Sequence, residues 1–233
     1  MRALAIETSA RTGSIAAVED GHVVAEEQFE HGLQHAAQIV PIIDRLCRAR
    51  GWTPRDLDEL YVSAGPGSFT GLRIGITLAK TMALATGVKL VAVPTVRVLI
   101  ENAPREAQHV VLVLDAKREQ IFTARFERET SGKWVEREPA HLDSLSAMLG
   151  RAPRPVHLLG EGLPYHEKFV PRDDTGVIAT ASELWRPRAR IVAEVGGMMA
   201  RAKEFCDPDR FAPIYIRRPE AEEKWEQSQQ TKR

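Results

Sequence analysis

Cysteine is almost missing from this 233-residue chain: only Cys47 and Cys206 occur, far apart and outside any CxxC pair. That excludes a disulfide framework and a thiolate zinc cluster, and makes a reducing cytoplasm the expected compartment. An excess of charge of one sign is missing too. The 32 Lys and Arg are matched by 32 Asp and Glu, and the match is local, with 10 against 11 in residues 1–104 and 22 against 21 in residues 105–233. A chain without basic excess lacks the positive field by which an independent nucleic-acid binder neutralises many phosphates, and it has no polybasic stretch for an anionic membrane. No run reaches the roughly 18 apolar residues of a membrane span. The start MRALAIETS turns acidic too early for a secretory signal peptide. What is present is ordinary for a globular protein, a hydrophobic fraction of 43 %.

Two similar halves can be read along the chain. The apolar run Ala3 to Ile6 ends in Glu7, Ser14 to Val18 follows, and Asp20-Gly21 leads into His22 to Phe29. An Asp-Gly step between β-prone runs is a hairpin signal, so the chain opens with three short strands. His35 to Arg50 carries Ile39, Ile42, Ile43, Leu46 and Cys47 at helical spacing, with Gly51 as its C-cap and Pro41 as a kink or a later start. Leu60 to Ala64 reads as a buried strand, Thr70 to Thr86 as a helix stopped by Gly87, Val88 to Val93 as a strand, and Thr95 to Glu101 as a short helix. After Pro104 the pattern restarts: Val110 to Leu114 ends in Asp115, and Gln120 to Phe126 follows a short turn. Looser elements come next, with strands at Trp134 to Arg137, Val156 to Leu159 and Val177 to Ala179, and helices at Leu142 to Leu149 and from Pro187 to Phe205. Glu7 and Asp115 are both carboxylates just past a hydrophobic strand that feeds a hairpin. The expectation is a duplicated α/β domain, 1–104 and 105–219, with a polar tail over 220–233.

The most informative segment is Gly65-Pro66-Gly67-Ser68-Phe69-Thr70-Gly71-Leu72-Arg73, which leaves a buried strand and enters a helix. Free N–H groups at a helix start and glycines that permit close approach make an anion-binding loop. The same residues also read as a tight turn with Thr70 as N-cap. The segment has no Walker Lys-Ser/Thr pair and does not match GxGxxG. Beyond it, Gly71, Gly75, Ala79 and Ala83 recur every fourth residue and share one helix stripe, while Ile76, Leu78 and Met82 lie elsewhere. A stripe of small residues admits a partner helix, or equally this domain's own sheet. His31 and His35 have i, i+4 spacing, but Gly32 lies between them, no HExxH acid is present and no third ligand offers itself, so no metal is expected.

Together these segments resemble the TsaB (YeaZ) family: LAIETS at the start, His35 with Ile39-Val40-Pro41, SAGPGSFTGLRIG from Ser63 to Gly75, Leu114-Asp115-Ala116-Lys117 with Glu119, and Pro213-Ile214-Tyr215-Ile216-Arg217. The resemblance spans nearly the whole chain, and Gly65 to Arg73 is its most specific part. It implies an actin-like (ASKHA) fold of two ribonuclease-H-like domains. It implies a non-catalytic role in forming threonylcarbamoyladenosine in tRNA, beside the metal-holding catalytic paralog TsaD and the P-loop ATPase TsaE, with tRNA met only by the assembled complex. A homodimer in isolation, and ATP or ADP at the interface of the complex, belong to the same expectation. The helices that would dock the paralog point to His35, Ile39, Ile42, Ile43, Leu46, Gly71, Leu72, Gly75, Ala79 and Ala83. A vestigial nucleotide or anion site would comprise Glu7, Thr8, Ser9, Gly65, Gly67, Ser68, Thr70, Gly71, Arg73 and Asp115. Glu7 departs from the Asp common in the family. The alternative is an ATP-dependent phosphotransferase of the same superfamily acting alone.

Overall fold

Alternation and glycine stops translate directly into the elements of the structure, a computed structural model that describes residues 1–29 and 35–216. The side chains of His35 and Ala36 lie outside that description, as do His31, Arg217 and the tail expected over 220–233. The first sheet is built from β1 (Arg2–Glu7), β2 (Gly13–Glu19), β3 (His22–Phe29), β4 (Glu59–Gly65) and β5 (Lys89–Pro94), in the order β3-β2-β1-β4-β5. The hairpin pairs β1–β2 and β2–β3 are antiparallel, whereas β1–β4 and β4–β5 are parallel.

The second sheet repeats this plan. It contains β6 (His109–Leu112), β7 (Leu114–Asp115), β8 (Ile121–Arg128), β9 (Trp134–Asp143), β10 (Val156–Leu159) and β11 (Val177–Ala179). With β6 and β7 as successive parts of its central strand, the order is β9-β8-β6-β10-β11, and the antiparallel and parallel pairs fall in the same places. The duplication expected from Glu7 and Asp115 is therefore a duplication of topology.

Period-two burial assigns each face of the first sheet. Leu4, Ile6, Ile15, Leu60 and Val62 point to one side, where α1 (His35–Arg48) and α2 (Phe69–Thr86) cover them. The small Ala3, Ala5 and Ala16 point to the other, together with Tyr61, and meet α6 (Ala189–Arg201). On the second sheet, α4 (Leu145–Arg151) and α5 (Leu163–His166) cover Val111, Ile121 and Leu158. The short α3 (Thr95–Ile100) buries Val96, Leu99 and Ile100 against Val110, Leu112 and Phe126 on the other face. Its Val98 belongs to the core of the first sheet, so α3 is wedged between the two sheets.

The packing departs from the expectation that residues 105–219 form one unit. Helix α6 returns to the first sheet, where the Ala189 N–H donates to Ser14 Oγ at 2.7 Å. From there the chain runs back along the end of that sheet. The Cys206 N–H donates to Leu90 O, Phe211 is buried in its core, and the Ile214 N–H donates to Ala64 O. Residues beyond about 188 thus belong by packing to the first unit. Two smaller expectations also shift. The N-cap of α2 is Ser68, whose Oγ accepts the Gly71 N–H at 3.2 Å, and not Thr70, which is already helical. Pro41 sits inside α1 and does not start it. The stop at Gly87 is as read: φ is +76° and its N–H donates to Ala83 O.

Candidate functional site

The strand end β1 carries Glu7, wholly buried. The next turn folds back on it, so that the Ser9 N–H and Oγ both donate to Glu7 Oε1, at 2.5 and 2.6 Å. The other oxygen, Oε2, is enclosed and has no hydrogen-bond partner among the described residues. Burial pushes the Glu7 carboxyl up to about 7, against the lowering effect of the Ser9 hydrogen bonds. The Thr8 N–H donates to Ser63 Oγ at 3.2 Å, which ties the same turn to β4.

The glycine-rich loop closes over this turn. The Ser68 N–H donates to Ser9 O at 2.7 Å, and a Cβ on Gly67 would stand 2.3 Å from that same oxygen. At Gly65, with φ +107°, an added Cβ would meet Ile214 O at 2.9 Å. The loop needs glycine because the protein's own backbone occupies the approach, so its glycines are accounted for without a phosphate.

The same reasoning reassigns the small stripe of α2. A Cβ on Gly71 would be 2.0 Å from Thr8 O, and one on Gly75 would be 2.4 Å from Thr8 Oγ1. Ala79 and Ala83 are buried in the core beneath the helix. The expectation that this stripe receives a partner helix is therefore corrected: it faces Thr8 and the core of its own domain. Ile39, Ile42, Ile43, Leu46 and Leu72 are likewise buried. Of the ten expected docking positions nine are interior, and the tenth, His35, has its side chain outside the description. The outward faces of these helices carry other residues. Val40 is 53 % and Leu84 71 % exposed, and Thr77, Thr81 and Asp44 are exposed beside them.

The corresponding strand end of the second unit is open. Asp115 lines a cleft of about 450 Å³ together with Ser9, Gly67, Ser68, Lys117 and Tyr165. Burial tends to raise the Asp115 carboxyl, but the Lys117 ammonium at 2.6 Å, the Lys117 N–H at 3.0 Å and His166 Nε2 at 3.3 Å outweigh it and hold the group below the usual carboxylate value. The turn after β7 has three successive non-glycine residues with positive φ, Lys117, Arg118 and Glu119. This left-handed turn carries Lys117 over the ring of Tyr165, 5.3 Å from the ring centre. Arg11 approaches the same ring at 5.4 Å and its guanidinium donates to the Tyr165 hydroxyl, which joins the two units across the cleft.

The expected anion-site residues thus separate. Ser9, Gly67, Ser68 and Asp115 meet at the cleft, while Glu7, Thr8, Gly65 and Gly71 are interior. Thr70 is exposed on α2, and Arg73 is held over Phe69 at 3.9 Å with its Nε donating to the Tyr215 hydroxyl at 2.9 Å. Sequence reasoning missed Glu161 and Tyr165. Their signal was Gly160-Glu161-Gly162 directly after the apolar β10, the repeat of Gly65-Pro66-Gly67 after β4. Among the described residues no three or more of His, Cys, Asp and Glu gather to hold a metal ion, and no helix is long and apolar enough to cross a membrane.

Comparison with known proteins adds the family. The family model described as "TsaD: tRNA N6-adenosine threonylcarbamoyltransferase" matches residues 30–225. The tRNA threonylcarbamoyladenosine biosynthesis protein TsaB of Bacillus subtilis is 32 % identical over 98 % of this chain and 100 % of its own length. TsaB of Escherichia coli is 27 % identical over 93 % of this chain and 95 % of its own. The solved structure of YeaZ from Pseudomonas aeruginosa superposes with a TM-score of 0.77 at 22 % identity, covering 92 % of this chain and 99 % of that one. With the duplicated sheet order, this likeness identifies the fold as actin-like α/β.

Proposed function

Because the chain belongs to the TsaB (YeaZ) family, we propose that it serves in the formation of threonylcarbamoyladenosine in tRNA as a non-catalytic partner of the catalytic paralog TsaD. The likeness to the Bacillus subtilis protein over nearly the full length of both chains carries this reading. The accessory role is supported by the strand end of the first unit, where the space around Glu7 is filled by Ser9 and the glycine loop is pressed onto the protein's own backbone. The docking face is the outward side of α1 and α2, centred on Val40 and Leu84, since the inward side is consumed by the core. TsaE joins the assembled pair, tRNA is met by the complex as a whole, and ATP or ADP belongs to the interface of that complex. In isolation the same face pairs two copies of this chain. The balanced charge fits a surface that meets protein and not a polyanion.

Reconstitution of tRNA threonylcarbamoylation with this subunit left out is expected to abolish the modification; undiminished modification would overturn the proposal. Leu84→Arg is expected to weaken capture of the paralog tenfold or more while the unfolding midpoint stays where it is. ATP turnover by the purified chain alone, lost in Glu7→Ala, would favour the phosphotransferase instead.

A further inference from the structure

A second cavity, of about 440 Å³, opens where the chain passes from the second sheet back to α6. It lies on the far side of the Arg11–Tyr165 contact from the Asp115 cleft and falls in the size range of small-ligand sites, about 300–1,000 Å³. One wall is the segment Trp185-Arg186-Pro187-Arg188. Arg188 is extended, with φ −134° and ψ +146°, and Pro187 restricts the residue before it to extended backbone. Arg186 and Arg188 both line this cavity, and Arg11 lines it from the first unit.

Acceptors for these donors run short. Glu161 is already engaged, with Oε2 accepting the Arg11 N–H at 3.2 Å and Oε1 lying 3.4 Å from Arg186 Nε. Glu26 stands 3.6 Å from Arg188 Nη2, too far for a hydrogen bond, and its Oε1 accepts the Arg190 N–H at 3.1 Å. Glu183 is on the exposed rim. The Nε of Arg188 is enclosed and has no acceptor among the described residues. The Arg188 side chain as a whole is 41 % exposed and so open to a ligand. An apolar wall stands beside it: the Trp185 ring is fixed by its indole N–H, which lies 3.0 Å from both Thr180 O and Oγ1.

We propose that this cavity binds a small phosphate monoester, its phosphate gripped by Arg186 and Arg188 and its organic part lying along Trp185. Guanidinium forks match the oxygens of a phosphate two at a time. This site is separate from the docking face of α1 and α2, so its failure and the failure of the assembly reading are distinguishable.

The test is calorimetric titration of the full chain at pH 7 with AMP, ribose 5-phosphate and inorganic phosphate. Saturable one-to-one binding of at least one monoester is expected, weakened tenfold or more in Arg186→Ala and Arg188→Ala. Arg186 is 58 % exposed, so its variant keeps the fold and decides the matter should Arg188→Ala misfold. Lys117→Ala, in the neighbouring cleft, is expected to leave binding unchanged. Absence of saturable binding by either monoester, equal binding in Arg186→Ala, or loss in Lys117→Ala alone would each overturn the proposal.

Discussion

Glu7 and Asp115 occupy the same place in two copies of one topology, at the end of the central strand just before a hairpin, yet they are opposite in state. Glu7 is sealed, has hydroxyl and amide donors but no cation, and is pushed up to about 7. Asp115 is 15 % exposed, sits between an ammonium and an imidazole, and is held below its usual value. The sheets are alike; the covering is not. Over the first strand end lies the eighteen-residue α2, with two glycines that let it descend onto Thr8. Over the second lies α5, only four residues long, which leaves a cleft. Topology places a carboxylate, and the helix that follows the fourth strand decides whether it is a core group or a surface one.

The contrast can be broken most forcefully at the helix. Gly71→Leu places a Cβ against Thr8 O, a backbone atom that no rotamer change removes. The expected cost is about 3 kcal/mol or more, read as a lower urea midpoint or loss of the folded chain. Gly75→Leu acts in the same direction, and for that reason reports on folding and not on docking.

The next effect is in pH. The folded Glu7 value, about 7, exceeds the ordinary 4.5, so between those values the folded state holds more protons than the unfolded one. Its contribution is full below pH 4.5 and is lost as pH rises through 7, by about 3 kcal/mol in total. Urea unfolding of the wild type from pH 4.5 to 8.5 is expected to show this fall, and Glu7→Gln to flatten it. A wild-type profile that is level or rises over this window would refute the sealed state of Glu7.

The smallest effect belongs to the open copy. Asp115→Asn is expected to cost about 1 kcal/mol or less at pH 7, because Lys117 is exposed and its pairing is screened. The sign is reversed: Asp115 stabilises above the ordinary carboxylate range, and that contribution is lost as pH falls below it. A loss comparable to that at Glu7 would erase the distinction between the copies.

The periodicities of the chain stated most of the fold in advance. Leu4 and Ile6 alternating with Ala3 and Ala5, the 108-residue interval from Glu7 to Asp115, and the stop at Gly87 are local signals with local causes. The return of α6 and of residues 206–214 to the first sheet was not legible, because nothing in an amphipathic helix names which sheet it will cover. The candidate site was legible in part. Gly65 to Ser68 and Asp115 were marked, and of these Gly67, Ser68 and Asp115 do line the cleft. Glu161 was hidden in a loop whose kinship to Gly65–Gly67 shows only once the strands are superimposed, and Tyr165 in the short α5 after it.

The sequence by itself determined that α2 has a stripe made for close approach, since Gly71, Gly75, Ala79 and Ala83 share one side of any helix. Only the tertiary structure decided what approaches it. Small side chains encode a short distance and not the identity of the neighbour, and here the neighbour is Thr8, just past the end of β1 in the same chain, which already occupies that space.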